Sequence, residues 1–417
     1  MCGHHKRYNA HNMNNKKSTY VGIDIGSSRS TCVIGVEAED NETVQVLGVG
    51  MADNPGMRRG VVANVDEAVE SITRAVDEAE RMSGFTIERA TVSVNGNHLK
   101  SRHSKGVIAV SGGNRDIDDE DIARVEEAAT VVQIPPNREI IHVFPREYYL
   151  DGQEDIQDPR GMRGVRLEVQ ALLVTASTPA TKGISRVVYQ AGLEASQLYV
   201  AGLASARAVL SRDQRENGVA LLDIGHATTT IAIFEEDELY HLHVLPVGSG
   251  HITNDLAIGL QTDLTTANKL KLESGKLKSR KTIKIIDNRG EEAEFETMLI
   301  REIINARLEE IFELVNDELA RVDRSRKLPA GIVLTGGGAN TPGIQQLAKV
   351  TCELPVIIGD VTGLSGILDN LENPSMSTAV GLMLLDRDAK SITVKGRSMN
   401  VSGASSFLRT IFERLSP

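Results

Sequence analysis

Two stretches of this chain repeat one another. Residues 21–50 read VGIDIGSSRSTCVIGVEAEDNETVQVLGVG, and from Val219 they are echoed by VALLDIGHATTTIAIFEEDELYHLHVLPVG. Each copy is an apolar strand, Asp-Ile-Gly, small polar residues, a second strand, an acidic turn and a third strand. Setting Asp24 against Asp223 aligns the unit at an offset of 199 residues. A chain duplicated in this way has to build two related halves, and halves that each present an acidic turn make a two-domain clamp.

The segments between and after the copies are helical. Val65, Ala68, Val69, Ile72, Val76 and Ala79 recur at helical spacing before Gly84, and Thr178-Pro179 opens a second helix that Gly192 ends. Strand-strand-strand-helix, twice, predicts an α/β chain whose mixed sheets are covered by helices, and it excludes an all-helical fold. Two segments interrupt the pattern. The first runs from about 88 to 176, with strands near Thr91–Val94 and Ile141–Phe144 and a helix around Asp119–Val132. The second runs from about 251 to 327 and ends in a long helix through Ile300, Ile304, Ile311, Phe312, Val315 and Leu319. At 417 residues several packed units are expected, and 3% aromatic residues with no Trp make their cores aliphatic.

Cys2, Cys32 and Cys352 are too scattered for a metal-ligand spacing or a disulfide framework. The polar first residues lack the apolar core of a secretory signal, so export is not expected. His4, His5 and His11 could bind metal, but a disordered leader is the better reading, and Met13 offers an alternative start. No stretch approaches the roughly 20 apolar residues of a membrane span. A net charge of −11 argues against nucleic-acid binding. That charge is uneven: residues 390–417 carry five basic residues against Glu413 alone, a net +4, which leaves −15 on the rest.

Three elements point to a phosphate ligand. Asp24 ends a strand and is followed by Gly26, Ser27 and Ser28, whose backbone N–H groups and hydroxyls suit phosphate oxygens. Asp223, Gly225, His226, Ala227 and Thr228 form a second such turn. Mg²⁺ keeps most of its waters and takes one or two carboxylates plus phosphates, so Asp24 and Asp223 are placed to flank a Mg-nucleotide from opposite halves. The third element, GIVLTGGGANTPGI from Gly331, is a buried strand running into Gly336, Gly337 and Gly338, with Pro342 placed to open a helix. An Asp-Ile-Gly alone is most often a plain hairpin turn; three elements in this order and separation favour a ligand.

This arrangement resembles the actin, heat-shock chaperone and sugar-kinase superfamily, and more specifically the FtsA family. The likeness to FtsA runs from Val21 to Leu385 and is carried by NPGMRRGVVANVDEAVESITRAVDEAE, HVFPREYYLDGQ, RGMRGVRLEVQALLVT, VAGLASARAVL and VLPVGSGHITNDLAIGL. The resemblance implies an actin-like ATPase fold: two duplicated ribonuclease-H-like domains, each with an inserted subdomain, and a nucleotide cleft between them that takes ATP and Mg²⁺. It adds Gly248, Ser249, Asn340 and Glu302 to the cofactor-binding set, with Arg307 as a second adenosine candidate. Ala201–Ala206 and Ser377–Leu382 become hinge helices.

On this basis residues 1–18 are a leader, 19–87 with 177–205 the first actin-like domain, and 88–176 its insertion, bearing filament contacts. Residues 206–250 with 328–386 are the second domain and 251–327 its insertion, which in the family binds the FtsZ C-terminal peptide. Arg280 and Arg289 are the basic candidates for that acidic peptide. Self-association into filaments and contacts with other division proteins are implied too, at the cytoplasmic face of the inner membrane at the division site. Gly202 and Leu203 stand at the hinge where fast relatives carry Glu or Gln, and His226, Ala227 and Thr230 depart from the superfamily's second turn. Both departures predict slow hydrolysis at most.

The C-terminus reads independently. After a linker at 387–405, residues 406–417 form an amphipathic pattern: Phe407, Leu408, Ile411, Phe412 and Leu415 make one helical stripe, with Arg409 and Arg414 off it. Such a helix lies in a membrane interface, and its basic charge favours anionic inner-membrane lipid. The rival readings are a sugar kinase, for which no catalytic carboxylate is evident, and an actin-like scaffold of another machine such as pilus assembly or rod-shape control.

Overall fold

The computed structural model describes residues 18–39, 43–110, 116–276, 281–287, 290–366 and 371–396, the side chains of 276 and 392–396 excepted. The first copy of the repeat forms three antiparallel strands, β1 (Thr19–Ile25), β2 (Arg29–Glu37) and β3 (Val44–Asp53). A short hairpin, β4 (Met57–Arg58) and β5 (Val61–Val62), leads to helix α1 (Val65–Ser83). The Asn64 side chain caps α1 by accepting from the Asp66 and Glu67 N–H groups, Ala68, Ile72, Ala75, Val76 and Ala79 bury one face, and Gly84 ends it at φ 75°. The helix lies so close on β3 that a Cβ on Gly50 would stand 1.9 Å from the Ala75 carbonyl oxygen.

Strand β6 (Arg89–Val94) then joins parallel to β1. This corrects the expected start of the insertion at 88. Ala90 through Val94 are all buried, so the strand needs neighbours on both edges and both faces, and it finds them in the first sheet. A separate antiparallel sheet begins after it: β7 (Lys100–Ala109), α2 (Asp119–Thr130), β8 (Arg138–Leu150), β9 (Gln153–Ile156) and β10 (Arg166–Ser177), in strand order β7-β10-β8-β9. Ile122, Val125 and Ala129 of α2 pack on Leu167, Val169 and Leu173 of β10.

The chain returns through α3 (Thr178–Gln190), β11 (Glu194–Val200), α4 (Ala201–Val209) and α5 (Arg212–Asn217). The second copy supplies β12 (Val219–Ile224), β13 (Thr229–Glu235) and β14 (Glu238–Leu245). It is followed by α6 (Ser249–Gly259), α7 (Leu264–Glu273), the hairpin β15 (Thr282–Ile286) and β16 (Glu292–Glu296), and α8 (Thr297–Arg321). Then come β17 (Ile332–Thr335), α9 (Ile344–Cys352), β18 (Val356–Ile358), β19 (Leu364–Gly366) and α10 (Ser377–Gly396).

The duplication reaches further than the matching residues. The first sheet runs β11-β6-β1-β2-β3-β19 and the second β14-β13-β12-β17-β18. Apart from β19 the order is the same: an antiparallel meander whose first strand pairs parallel with a later strand, which in turn pairs parallel with a second. Register is kept as well, with Asp24 opposite Thr31 and Asp223 opposite Thr230. One buried cluster runs from Val33 and Val46 of the first sheet through Leu203 and Ala206 of α4 and Val380 and Met383 of α10 to Leu221 and Ala232 of the second.

Helix α10 overruns its expected end. Residues 387–396 were expected to be linker, but they continue the helix because they are anchored on β1 and β2: Arg387 pairs with Glu37, and Lys390 Nζ donates to the Thr19 carbonyl at 2.8 Å and to Asp386 Oδ2 at 2.7 Å.

Candidate functional site

The acidic turns follow β1 and β12, and each is closed by its glycine. Gly26 N–H donates to the Arg29 carbonyl at 3.0 Å, and Gly225 N–H to the Thr228 carbonyl at 2.9 Å. Closure uses the glycine N–H alone. The residues inside the turns, Ser27 and Ser28 in one and His226 and Ala227 in the other, therefore line the cleft with their own N–H groups not engaged in closing it.

Asp24, Gly26, Ser27 and Ser28 from the first turn and Asp223, Gly225, His226 and Thr228 from the second share one cleft of about 290 Å³. Ser249, Gly336, Gly337 and Asn340 line it too. The third turn arrives because β17 pairs parallel with β12, setting Thr335 beside Asp223. Gly336 adopts φ 79°, and a Cβ there would lie 2.4 Å from Asp223 Oδ1, so only glycine permits this approach.

Three expected residues stand outside the lining. Gly248 sits behind the second turn, where a Cβ would be 2.5 Å from the Gly225 carbonyl oxygen, and Gly338 packs on Ile224. They support the turns. Glu302 is exposed on α8, while Arg307 is held by Asp255, with Nε–Oδ2 at 2.6 Å and Nη2–Oδ1 at 3.0 Å. Helical spacing marks α8's buried face but not the side on which the cleft lies. Nor does Pro342 open a helix: Gly337–Asn340 form one 3₁₀ turn, and α9 starts at Ile344 after Gly343 at φ 83°. The first N–H groups of α6 brace the second turn, Ser249 donating to Gly225 at 2.9 Å and Gly250 to His226 at 2.7 Å.

The structure adds residues the sequence reading missed. Lys271 and Asn268 of α7 line the cleft, and so do Asn95, just past β6, and Thr378 at the start of α10. Lys271 carried a signal: with Thr266, Ala267 and Leu270 it falls on the helix's buried face, an unusual place for a lysine. Its Nζ donates to Thr253 Oγ1 at 2.8 Å and to the Ser249 carbonyl at 3.3 Å. Asn95 ties the halves together, donating to Thr228 Oγ1 at 3.2 Å and accepting from Thr230 Oγ1 at 3.3 Å.

Two carboxylates dominate the electrostatics. Burial, reinforced by the Asp223 charge, pushes Asp24 up to about 6 against the pull of Ser93 and Arg29. Burial also raises Asp223, while Ser205 Oγ at 2.8 Å and Thr378 Oγ1 at 3.3 Å donate to its Oδ2 and oppose the rise. Those hydroxyls belong to α4 and α10, so these two helices fix this carboxylate. On the other wall burial lowers the Lys271 ammonium, and burial together with the Lys271 charge lowers the His226 imidazole. Facing carboxylates ringed by N–H groups and hydroxyls are the donor set of a divalent cation bound with a polyanion.

Arg280 and Arg289, and the stripe of Phe407, Leu408, Ile411, Phe412 and Leu415, lie outside the described residues. Among those described, no helix is long and apolar enough to cross a membrane.

Two duplicated sheets joined by crossing helices over a polar cleft define the actin-like ATPase fold. Solved structures share it: a chain of the PilM-PilN type IV pilus biogenesis complex at TM-score 0.63, 17% identical, covering 88% of this chain and 98% of that one. MreB5 of Spiroplasma citri bound to ADP superposes at TM-score 0.51, 15% identical, over 92% and 99%. The sequence narrows the class. Residues 96–175 match the family described as the SHS2 domain inserted in FTSA, and residues 220–381 match cell division protein FtsA. The chain is 37% identical over 392 residues to cell division protein FtsA of Pseudomonas aeruginosa, covering 92% of each, and 38% identical over 382 residues to that of Bacillus subtilis, covering 88% and 83%. This chain belongs to the FtsA family of cell division proteins.

Proposed function

We propose that the protein binds Mg-ATP between its two halves, polymerises on the cytoplasmic face of the inner membrane at the division site, and tethers FtsZ filaments there. The single observation that carries the nucleotide reading is the meeting of Asp24 and Asp223, equivalent residues of the two copies, in one cleft rimmed by three glycine turns. Asp24 and Asp223 are the groups to hold the ion. The N–H groups of both turns, with the Ser27, Ser28 and Thr228 hydroxyls, are the donors for phosphate oxygens, and Lys271 offers a positive charge from α7. When bound, Mg-ATP supplies a triphosphate and a divalent charge that join the halves, stabilising the closed body by mass action.

Slow hydrolysis is part of the proposal. Relatives that hydrolyse quickly need a carboxylate or amide near the hinge to orient water, and here Gly202 faces Thr230, whose methyl would lie 2.5 Å from a Cβ at 202.

The partner reading rests on family membership and on exposed apolar side chains within 251–327. Ile258, Leu272, Ile286 and Met298 are 77%, 59%, 63% and 71% exposed. The test is retention of the purified chain by an immobilised peptide of the FtsZ C-terminal end. Retention is expected; a chain that passes such a column as it passes a scrambled peptide is no FtsZ tether.

Membrane attachment rests on residues 406–417. Each apolar side chain of the stripe contributes roughly 1.5–3 kcal/mol at most on insertion, and ordering the helix offsets much of it. One tail therefore holds reversibly, while a filament holds through many. Deleting Ser406–Pro417, or Phe412→Glu alone, is expected to move the chain from pellet to supernatant in sedimentation with anionic vesicles while leaving ATP binding intact. Co-sedimentation that survives the deletion refutes the anchor.

A further inference from the structure

Away from the cleft, β14 places His241 and His243 two residues apart, so both imidazoles leave the strand on one face. They stand opposite Ile233 and Ile231, whose side chains pack toward α8. Helix α8 crosses that face and brings Glu318 to both rings: His241 Nε2 lies 2.6 Å and His243 Nδ1 3.5 Å from Glu318 Oε1. The three ligand atoms fall within 4.8 Å of one another, and the strand holds the rings nearly parallel, 8° apart with centroids at 6.4 Å. A plain hydrogen-bonded pair needs only His241 and Glu318; that reading leaves unexplained why His243 turns to the same oxygen.

We propose that His241, His243 and Glu318 form a zinc site. Two imidazole nitrogens and one carboxylate oxygen are a zinc donor set, with a fourth position left for water, whereas Mg²⁺ and Ca²⁺ favour oxygen alone. Of the groups around it, Arg321 and Lys100 are cations that oppose a further positive charge, and the Glu318 carboxylate is what offsets them. Glu318 is 3% exposed near the C-terminal end of α8, where the helix carbonyls disfavour an anion and favour a cation beside it. Arg321 pairs with its other oxygen and orients it, as outer partners of metal-bound carboxylates do. The rings keep 16% and 21% of their surface, an opening for water and for entry of the ion.

The site sits under a joint. β14 is the edge of the second sheet and meets the separate β7 sheet there, Ser101 Oγ donating to the Leu242 carbonyl at 2.7 Å. A zinc ion at this point pins β14 to α8 and stiffens the edge on which the other sheet rests. The role is distinct from the nucleotide cleft and independent of it.

The test uses the full chain with His4, His5 and His11 changed to alanine, so that leader histidines contribute nothing. Titration with Co²⁺ is expected to give one equivalent with the visible d–d bands of a four-coordinate ion, displaced by Zn²⁺, and Zn²⁺ should raise Tm by a few degrees. His243→Gln should weaken binding by roughly tenfold or more, and a chain with both His241→Asn and His243→Asn should show neither the bands nor the Tm shift. Bands that persist in the double variant overturn the proposal. So does a leader-substituted parent that binds neither ion at micromolar concentration, a result that needs no variant at β14 to fold.

Discussion

Gly381→Ala is expected to pry apart α4 and α10, the two helices that pack against each other between the sheets. A Cβ at this position would stand 1.7 Å from the Ala204 carbonyl oxygen and 2.4 Å from its carbon, so the obstacle is backbone and no rotamer relieves it. Overpacking of a core costs about 1–3 kcal/mol, and a contact this close puts the substitution at the upper end or beyond. The helices can only separate, and Ser205 on α4 and Thr378 on α10, whose hydroxyls are 2.8 Å apart, separate with them. Asp223 then loses both donors. Urea unfolding should show the stability loss, and nucleotide binding should weaken in the same variant. Gly183→Ala is the control: it lies within α3, where a Cβ would meet nothing nearer than Val62 at 3.6 Å, so the exchange should stabilise by about 0.4–1 kcal/mol. Equal behaviour of the two variants would show that α4 and α10 do not cross this closely.

How much of this was legible beforehand follows from what a sequence encodes locally. The echo of Asp24 in Asp223 was visible because a hairpin's strands, turn glycine and carboxylate lie within thirty residues of each other. Its tertiary counterpart was not: that β6 and β17 take equivalent places beside β1 and β12 depends on pairing across 60 residues or more, and only the sheets display it. β6 was assigned to the wrong unit for that reason. Its apolar run announces a buried strand and says nothing about which sheet buries it.

The cleft shows the same division. Twelve of the fifteen cofactor candidates came together because they follow strands that end at one place. Glu302 did not, because α8 is amphipathic about an axis whose orientation to the cleft is set by packing on the second sheet. Lys271 was the readable residue, a cation among apolar neighbours on one helical face. Asn95 had no such mark, since its partners Thr228 and Thr230 are more than 130 residues away. The overrun of α10 was likewise hidden, for the pairs that hold its last turns reach back to Thr19 and Glu37.

Asp24→Asn should make the empty protein more stable and the liganded protein less so. The folded carboxyl is raised from 3.8 to about 6, first by burial and then by Asp223. A group raised in this way favours the folded state when protonated: its contribution is complete below pH 3.8 and is lost as pH climbs through about 6. At pH 7 the carboxylate therefore destabilises the nucleotide-free chain, and two units at 1.36 kcal/mol each, discounted for the open cleft, leave on the order of 2 kcal/mol. The amide carries no charge, so the D24N chain should melt higher than wild type at pH 7 without ligand, and the gap should close toward pH 4. Mg-ATP reverses the order. It meets one carboxylate instead of two, so affinity should fall about tenfold to a hundredfold, and the thermal gain that ligand confers on wild type should largely vanish. A D24N chain that gains as much from Mg-ATP as wild type removes Asp24 from the ion's surroundings; one that also melts no higher when empty removes the electrostatic strain between the two halves. The sign change with ligand is the decisive reading, because a residue that served only to close its turn would shift both melting curves in the same direction.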